Sequence, residues 1–244
     1  MYKIHFQVLV SFCLLLFFTD IHAQKKDEII LSQILEQASS VYGVDDALVN
    51  GLLFLPGNVN AAGDPYFYGN GWKAATVSVN GRIFTVEAMK YDICDERLIL
   101  LVNLGSGSRV PLVLNSDFIQ WFSLSDAYFV QASLYFPQEE MKGFVDLIYE
   151  GNITFVAKNK KEFVNMYTQV TPFGKFSETK VTYYLIKDKK TIKIRNKRSL
   201  LSAFEANRKE INRFMKTNDI HFRKATHSQL ATLAKFCDDG SSNK

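Results

Sequence analysis

The sequence predicts an α+β protein that is mainly β: an antiparallel β-meander, forming a curled sheet, a sandwich or a partial barrel, with an N-terminal helix and C-terminal helices. Short apolar runs separated by turn residues recur from residue 49 to residue 195. Two of these runs flank Asn80-Gly81, a pair typical of the type I′ hairpin turn because both residues tolerate positive φ. After Asn196 the spacing of the apolar residues becomes helical.

The first 23 residues predict a secretory signal peptide. Lys3 supplies the positive charge, residues 8–18 form an apolar run, and Ala23 is the small residue at the cleavage site. The apolar run is shorter than the ~20 residues needed to span a bilayer, although an uncleaved anchor is the alternative. Cleavage would leave Gln24 as the first residue of a mature chain without a transmembrane segment.

The mature chain begins with a predicted amphipathic helix, which the strands follow. Residues 27–42 place their apolar side chains on one face at helical spacing, and Gly43 ends the pattern. A loop rich in glycine and asparagine covers 57–71. The predicted strands are 49–55, 72–79, 82–91, 97–103, 110–114, 118–124, 128–136, 144–149, 153–158, 179–186 and 191–195.

Helices are predicted for the C-terminal part of the chain. Residues 199–216 carry apolar residues at helical spacing, as one helix or as two short ones. The run Thr226-His227-Ser228-Gln229 is a capping-box pattern that begins a further helix. Residues 24–195 are therefore predicted to form one domain, 196–237 a helical appendage, and 238–244 a disordered polar tail.

Charge is distributed unevenly along the chain. The 244 residues have a net charge of +4, but residues 24–155 have a net charge of −8 and residues 156–235 a net charge of +13. Such asymmetry is typical either of a surface that binds anions or of ordinary solvated strand faces. The candidate anion-binding residues lie on one predicted hairpin: Lys187, Lys189, Lys190, Lys193 and Arg195.

Aromatic residues are concentrated in the glycine-rich loop. Tyr66, Phe67, Tyr68 and Trp72 form a candidate platform on which a sugar or a peptide would stack, because aromatic rings give broad contact at little cost in entropy. The alternative is that these rings cover one end of the core, since large aromatic side chains are usually buried.

Two cysteines, Cys94 and Cys237, remain after removal of the predicted signal peptide. An oxidising compartment permits a disulfide between them, which would close a long loop and restrict the unfolded chain. Two unpaired thiols are the alternative, because the sequence does not establish that the two residues are close in space.

The sequence predicts no catalytic residue, no metal site and no cofactor. The mature chain has two histidines, His221 and His227, and neither belongs to a motif that places an imidazole beside a nucleophile. CxxC, HExxH and EF-hand spacings are absent. Asp92, Asp95 and Glu96 offer oxygen atoms to calcium, but three carboxylates in one turn are also ordinary hairpin chemistry.

Several short motifs are distributed over most of the mature chain. They are Gly63-Asp64-Pro65-Tyr66-Phe67, Trp72, Tyr91-Asp92-Ile93 with Leu98, and the run Lys197-Arg198-Ser199-Leu200-Leu201. In these motifs the chain resembles uncharacterised exported β-rich proteins of Bacteroidota-type Gram-negative bacteria. The resemblance implies export and a β-rich fold. Since the group has no assigned activity, the resemblance implies no catalytic residue.

Together these observations favour an exported protein, periplasmic or secreted, with a non-enzymatic binding or structural role. The expected partner is an anionic component of the cell envelope or another envelope protein. Nucleic acid is not an expected partner, because the chain has no nucleic-acid-binding motif. Two alternatives remain open: a hydrolase that cleaves an envelope polymer with carboxylates, and a lipid carrier with an apolar cavity.

The predicted signal peptide has a direct test. N-terminal sequencing of the exported protein is expected to start at Gln24, because cleavage follows the small residue Ala23. An exported chain that starts at Met1 would contradict the prediction.

Overall fold

The computed structural model describes residues 49–103, 108–136 and 141–242. The predicted signal peptide at 1–23 and the predicted helix at 27–42 lie outside these residues. The described chain is mainly β, with a large antiparallel sheet followed by C-terminal helices, which confirms this part of the predicted fold.

Eleven strands of the described chain form one antiparallel sheet, in the order β1-β5-β4-β3-β2-β6-β7-β8-β9-β12-β13. The remaining two strands, β10 and β11, form a small separate hairpin that the sequence did not predict. The strands are β1 Val49–Leu53, β2 Lys73–Val79, β3 Arg82–Asp92, β4 Arg97–Asn103, β5 Arg109–Leu114, β6 Ile119–Leu124, β7 Ala127–Gln131, β8 Phe144–Glu150, β9 Thr154–Lys160, β10 Phe163–Val164, β11 Lys175–Phe176, β12 Lys180–Lys187 and β13 Lys190–Ile194.

Two meanders share this sheet and meet where β2 pairs with β6, for example at Val77 and Phe122. One meander runs from β2 to β5, and the other runs from β6 through β9 to β12 and β13.

The predicted hairpin turn at Asn80-Gly81 is confirmed: both residues have positive φ, 49° and 77°, and Val79 pairs with Arg82 across the turn. The described strands form neither a two-sheet sandwich nor a closed barrel, because β1 and β13 are the two edges of one sheet.

The sheet is nevertheless curled around an aromatic core. Tyr91 on β3 packs edge-on against Phe144 on β8, with ring centroids 6.0 Å apart, although three strands lie between β3 and β8 in the sheet. Phe122 and Phe129 stack at 4.7 Å and both contact Tyr91. All four rings are almost fully buried, so burial of apolar surface favours the curled form.

A polar contact closes the curl. Glu96, in the turn between β3 and β4, accepts hydrogen bonds from the Tyr91 hydroxyl at 2.5 Å and from the Phe144 N–H at 3.4 Å. Its other carboxylate oxygen lies 2.7 Å from Lys158 Nζ on β9. Lys158 Nζ also donates to the carbonyl oxygens of Lys142 and Phe144. Burial raises the pKa of Tyr91, so its hydroxyl remains a neutral donor.

The C-terminal helices pack on the strands at the β13 side of the sheet. They are α1 Lys197–Ala203, α2 Arg208–Thr217 and α3 His227–Ser242. The predicted helix at 199–216 is thus two helices, because Phe204 leaves helical geometry at φ −127° and ψ 52°. The predicted capping box is confirmed: Gln229 N–H donates to Thr226 Oγ1, and Thr226 N–H donates to Gln229 Oε1.

The prediction of a disordered tail from residue 238 is wrong for the residues that the structure describes. Helix α3 continues to Ser242, and Asp238 is 2% exposed. The Asp238 carboxylate accepts hydrogen bonds from the Tyr149 hydroxyl at 3.0 Å and from the Asn152 N–H at 2.8 Å. Since both donors belong to the β8–β9 hairpin, this polar residue attaches the end of the helix to the sheet.

The predicted Cys94–Cys237 disulfide is not formed. Cys94 follows β3 in a half-buried turn, whereas Cys237 is buried in the apolar cluster between α3 and the sheet. Burial raises the pKa of the Cys237 thiol to about 12, which keeps it protonated and unreactive.

The contact at Glu96 requires a glycine opposite it. Gly143 has φ +73°, and an added Cβ would overlap the Glu96 carboxylate. We expect Gly143→Ala to lower the free energy of unfolding by at least about 2 kcal/mol, because it combines backbone strain with loss of the contact. Chemical denaturation measures the change.

The matched control is Gly57→Ala, since Gly57 has ordinary φ and no heavy atom within 4 Å of the added Cβ. That variant is expected to change stability by no more than about 0.5 kcal/mol. Equal stability of Gly143→Ala and the wild type would show that the Glu96 contact does not stabilise the curled sheet.

Candidate functional site

The four residues of the predicted aromatic platform do not share one surface. Phe67 packs edge-on against Phe129 of the core, with centroids 4.9 Å apart, and the Tyr68 hydroxyl donates to the Asp126 carboxylate. Tyr66 and Trp72 instead line a cleft beside the β3–β4 hairpin. The structure therefore brings Tyr66 and Trp72 together at this cleft and places Phe67 and Tyr68 outside it.

This cleft, called the aromatic cleft below, has a volume of about 600 Å³, and Phe54, Tyr66, Trp72, Lys90 and Arg97 are among the residues that line it. Lys90 Nζ lies 4.5 Å from the centroids of both the Tyr66 and the Trp72 rings. The ammonium group also donates to Asn70 Oδ1 at 2.6 Å. Burial lowers the pKa of Lys90, because it disfavours the charged form.

The carboxylates of the aromatic cleft are occupied by cations. Asp64 lies 3.0 Å from Lys161 Nζ, and Arg97 donates to Asp92 at 3.0 Å and to Asp95 at 2.5 Å. Asp92 also accepts the N–H groups of Cys94 and Asp95. The three carboxylates therefore do not form the free pair that glycoside hydrolysis requires, and their engaged oxygens are unsuited to calcium, which takes about six to eight oxygen ligands.

The predicted anion-binding hairpin is split between two environments. Lys187 packs over the Phe204 ring at 4.9 Å and is half-buried. Lys189, Lys190, Lys193 and Arg195 are exposed along the β12–β13 turn and the edge strand β13. Lys187 is thus a packing residue of the helical region, while the other four side chains point into solvent.

The more concentrated positive charge lies in a neighbouring groove that the sequence analysis missed. The groove has a volume of about 750 Å³ and lies between the start of α1, the end of α2 and the segment that joins α2 to α3. Met215, Ile220 and Phe222 are buried and form its floor. Its basic residues, which define the basic groove, are Lys197, Arg198, Lys216, His221, Arg223 and Lys224.

Local hydrogen bonds place these residues. At the start of α1, Asn196 and Ser199 form a reciprocal capping box that fixes the first turn beside Lys197 and Arg198. At the end of α2, Ile220 N–H donates to the Met215 carbonyl at 2.8 Å, which turns the chain back across the helix end. Both contacts are local, but the groove exists only because three separate segments meet.

The basic groove has little internal compensation for its charge. Within the described part of the chain, no salt bridge involves any of its five lysine and arginine side chains. Its one acidic residue is Asp219, which is exposed and lies 3.4 Å from His221. Like charges that converge without counter-charges create a positive potential that an anion would relieve.

His227 makes one of the two contacts that the histidine of a catalytic triad needs, the contact with an acidic residue. Its Nε2 atom lies 3.1 Å from Oδ1 of Asp146, a buried residue of β8. Among the described residues, no serine, threonine or cysteine hydroxyl or thiol shares a hydrogen bond with the ring. The pair therefore lacks the nucleophile of a catalytic triad and instead joins the first turn of α3 to the sheet.

Comparisons of the chain with models of protein families, with curated proteins and with solved structures found no significant match. None of the described helices is long and apolar enough to cross a membrane. The described residues also contain no group of three or more histidine, cysteine or acidic side chains that could hold a metal ion.

The His227–Asp146 pair predicts a pH dependence of stability. The hydrogen bond that His227 donates to Asp146 raises the pKa of His227 above its unfolded value of about 6.5, while Asp126 adds a weaker attraction. The protonated ring therefore stabilises the fold below about pH 6.5, and this contribution is lost as the pH rises through the folded pKa.

We expect the free energy of unfolding to fall more steeply in the wild type than in His227→Gln as the pH rises above about 6.5. Denaturant titration at each pH measures both slopes. His221→Gln is the control, because His221 is 75% exposed and pairs only with the exposed Asp219. Parallel slopes for the wild type and His227→Gln would contradict the assignment.

Proposed function

We propose that this is an exported, non-enzymatic binding protein that holds a phosphate-bearing anionic ligand in the basic groove. The observation that carries the proposal is the convergence of five lysine and arginine side chains on one concave surface, without salt bridges in the described part of the chain. Such a surface is repulsive to itself, and an anion offsets the repulsion.

The types of cation present favour phosphate groups. Arg198 and Arg223 belong to two different walls of the groove, and a guanidinium group donates two parallel hydrogen bonds to phosphate oxygens. Lys197, Lys216 and Lys224 add compact charges around them. The apolar floor suits a ligand that joins a phosphate group to an apolar body, as an anionic phospholipid or lipopolysaccharide does.

The location of the protein is part of the same proposal. The signal-peptide pattern at 1–23 and the resemblance to exported proteins support a periplasmic or secreted protein. In that compartment the available anionic surfaces are envelope lipids and polysaccharides. The proposal of a binding role rests on the groove alone and survives if the protein is found elsewhere.

The test compares two variants that each lose four positive charges. The groove variant replaces four residues of the basic groove by glutamine: Lys197, Arg198, Arg223 and Lys224. The control variant replaces four exposed lysines outside the groove by glutamine: Lys175, Lys180, Lys189 and Lys190. We expect the groove variant to bind phosphatidylglycerol vesicles or lipopolysaccharide at least about tenfold more weakly than the wild type, since each cation near an anionic surface contributes about 1 kcal/mol.

The control variant is expected to bind within about threefold of the wild type, because the lost charges lie outside the groove. Vesicle sedimentation and lipopolysaccharide titration distinguish the two sources of phosphate, and inorganic phosphate tests whether the group alone suffices. An equal loss in both variants would show that only net charge matters. Binding that is unchanged between low and high salt would overturn the electrostatic basis.

A further inference from the structure

Lys90 is a buried cation whose charge the protein does not neutralise. The residue is 8% exposed, and within the described residues it takes part in no salt bridge. Asp64 is the acid that acts on it electrostatically, but the Asp64 carboxylate is already paired with Lys161. An ammonium group has three donors; among the described residues one hydrogen bond goes to Asn70, and the nitrogen otherwise lies over the Tyr66 and Trp72 rings, which are weaker acceptors than a carboxylate.

Arg97 supplies a second donor on the same surface. In the β3–β4 hairpin, Lys90 pairs with Ile99 and Asp92 pairs with Arg97, so Lys90 and Arg97 lie diagonally on one face. One guanidinium nitrogen of Arg97 is bound by Asp92 and Asp95, but its Nε is buried without a hydrogen-bond partner. A buried donor without an acceptor is costly, and an acceptor from a ligand would remove that cost.

The walls of the aromatic cleft add flat apolar surface next to these donors. Trp72 is 37% exposed, although its ring borders a buried cation, and Phe54 lies under the Arg97 guanidinium at 5.3 Å. An exposed aromatic ring such as Trp72 stacks on the C–H face of a sugar ring, whereas Phe54 is 7% exposed and packs against the Arg97 guanidinium. The exposed Asp95 carboxylate and the Asn70 amide at the same cleft provide acceptors for hydroxyl groups.

We propose that the aromatic cleft is a second binding site, which takes an acidic saccharide: a sugar ring stacked on Trp72, with its carboxylate facing Lys90. The volume of about 600 Å³ lies within the range of small-molecule sites. The site is separate from the basic groove, since the two share no lining residue.

Isothermal titration calorimetry of the full mature chain tests the proposal with trigalacturonate and, as the matched neutral ligand, galactotriose. We expect trigalacturonate to bind at least about tenfold more tightly than galactotriose, because only trigalacturonate carries carboxylates that can pair with the Lys90 ammonium group. Lys90→Met keeps the apolar stem and removes the charge, so it is expected to abolish that difference. Trp72→Ala is expected to weaken both ligands, because both lose the stacking surface.

The groove variant described above, with Lys197, Arg198, Arg223 and Lys224 replaced, is the matched control. It is expected to bind trigalacturonate as the wild type does, so that failure of one site is distinguishable from failure of the other. Equal affinity for the charged and neutral sugars, or an unchanged affinity in Lys90→Met, would overturn the role of Lys90. If a short peptide ending in phenylalanine bound more tightly than trigalacturonate, the saccharide assignment would be overturned. If the groove variant lost trigalacturonate binding, the ligand would lie in the basic groove.

Discussion

The curl of the sheet depends on one half-buried polar contact, the Glu96 carboxylate with Tyr91, Phe144 and Lys158. A twisted antiparallel sheet of eleven strands tends to curl, but the twist alone does not fix which residues of β3 and β8 meet, since these two strands are not hydrogen-bonded to each other in the sheet. The aromatic core supplies the driving force, because it buries large apolar surfaces, but stacked rings tolerate sliding. The directional bonds at Glu96 fix which residues of the two strands meet, and the aromatic cleft beside the same turn inherits that geometry.

The basic groove depends on a different kind of support. Its walls are short segments that would not hold a shape by themselves, and they are ordered because α3 is attached to the sheet at two places. Near the start of α3, His227 contacts Asp146 of β8; near its end, Asp238 accepts hydrogen bonds from the β8–β9 hairpin. A cluster of apolar side chains fills the space between these contacts. The remaining void there is about 10 Å³, which is smaller than an acyl chain needs.

The sequence predicted the strands well because each is bounded by residues with a clear local preference. Asn80-Gly81 adopts the positive φ that its turn requires, and the Thr226–Gln229 capping box begins a helix as expected. The sequence left one helix or two short ones open for 199–216, because the apolar spacing continues through Phe204 and only the backbone angles change there. Asp238 was assigned to a disordered tail because it is polar, and its partners on β8 and β9 are distant in sequence.

The sites were harder to predict than the fold. The aromatic residues 66–68 were grouped by composition, yet the chain turns at Phe67 and Tyr68, so Tyr66 lines the cleft while Phe67 packs against the core. The sequence located the excess positive charge in the C-terminal part but assigned it to a contiguous hairpin. The basic groove draws on residues from 196 to 224, and no local pattern reveals that they converge.

The lysines of the β12–β13 hairpin also affect how the exposed edge strand β13 can pair with another chain. An edge strand presents unpaired N–H and C=O groups that invite another chain to extend the sheet. On β13, Lys190 and Lys193 are exposed, and Arg195 follows directly. Two such strands from different molecules would bring rows of like charge together, and their mutual repulsion keeps one molecule from templating the next. The same side chains that suggested a recognition surface therefore protect the protein from polymerising through its own sheet.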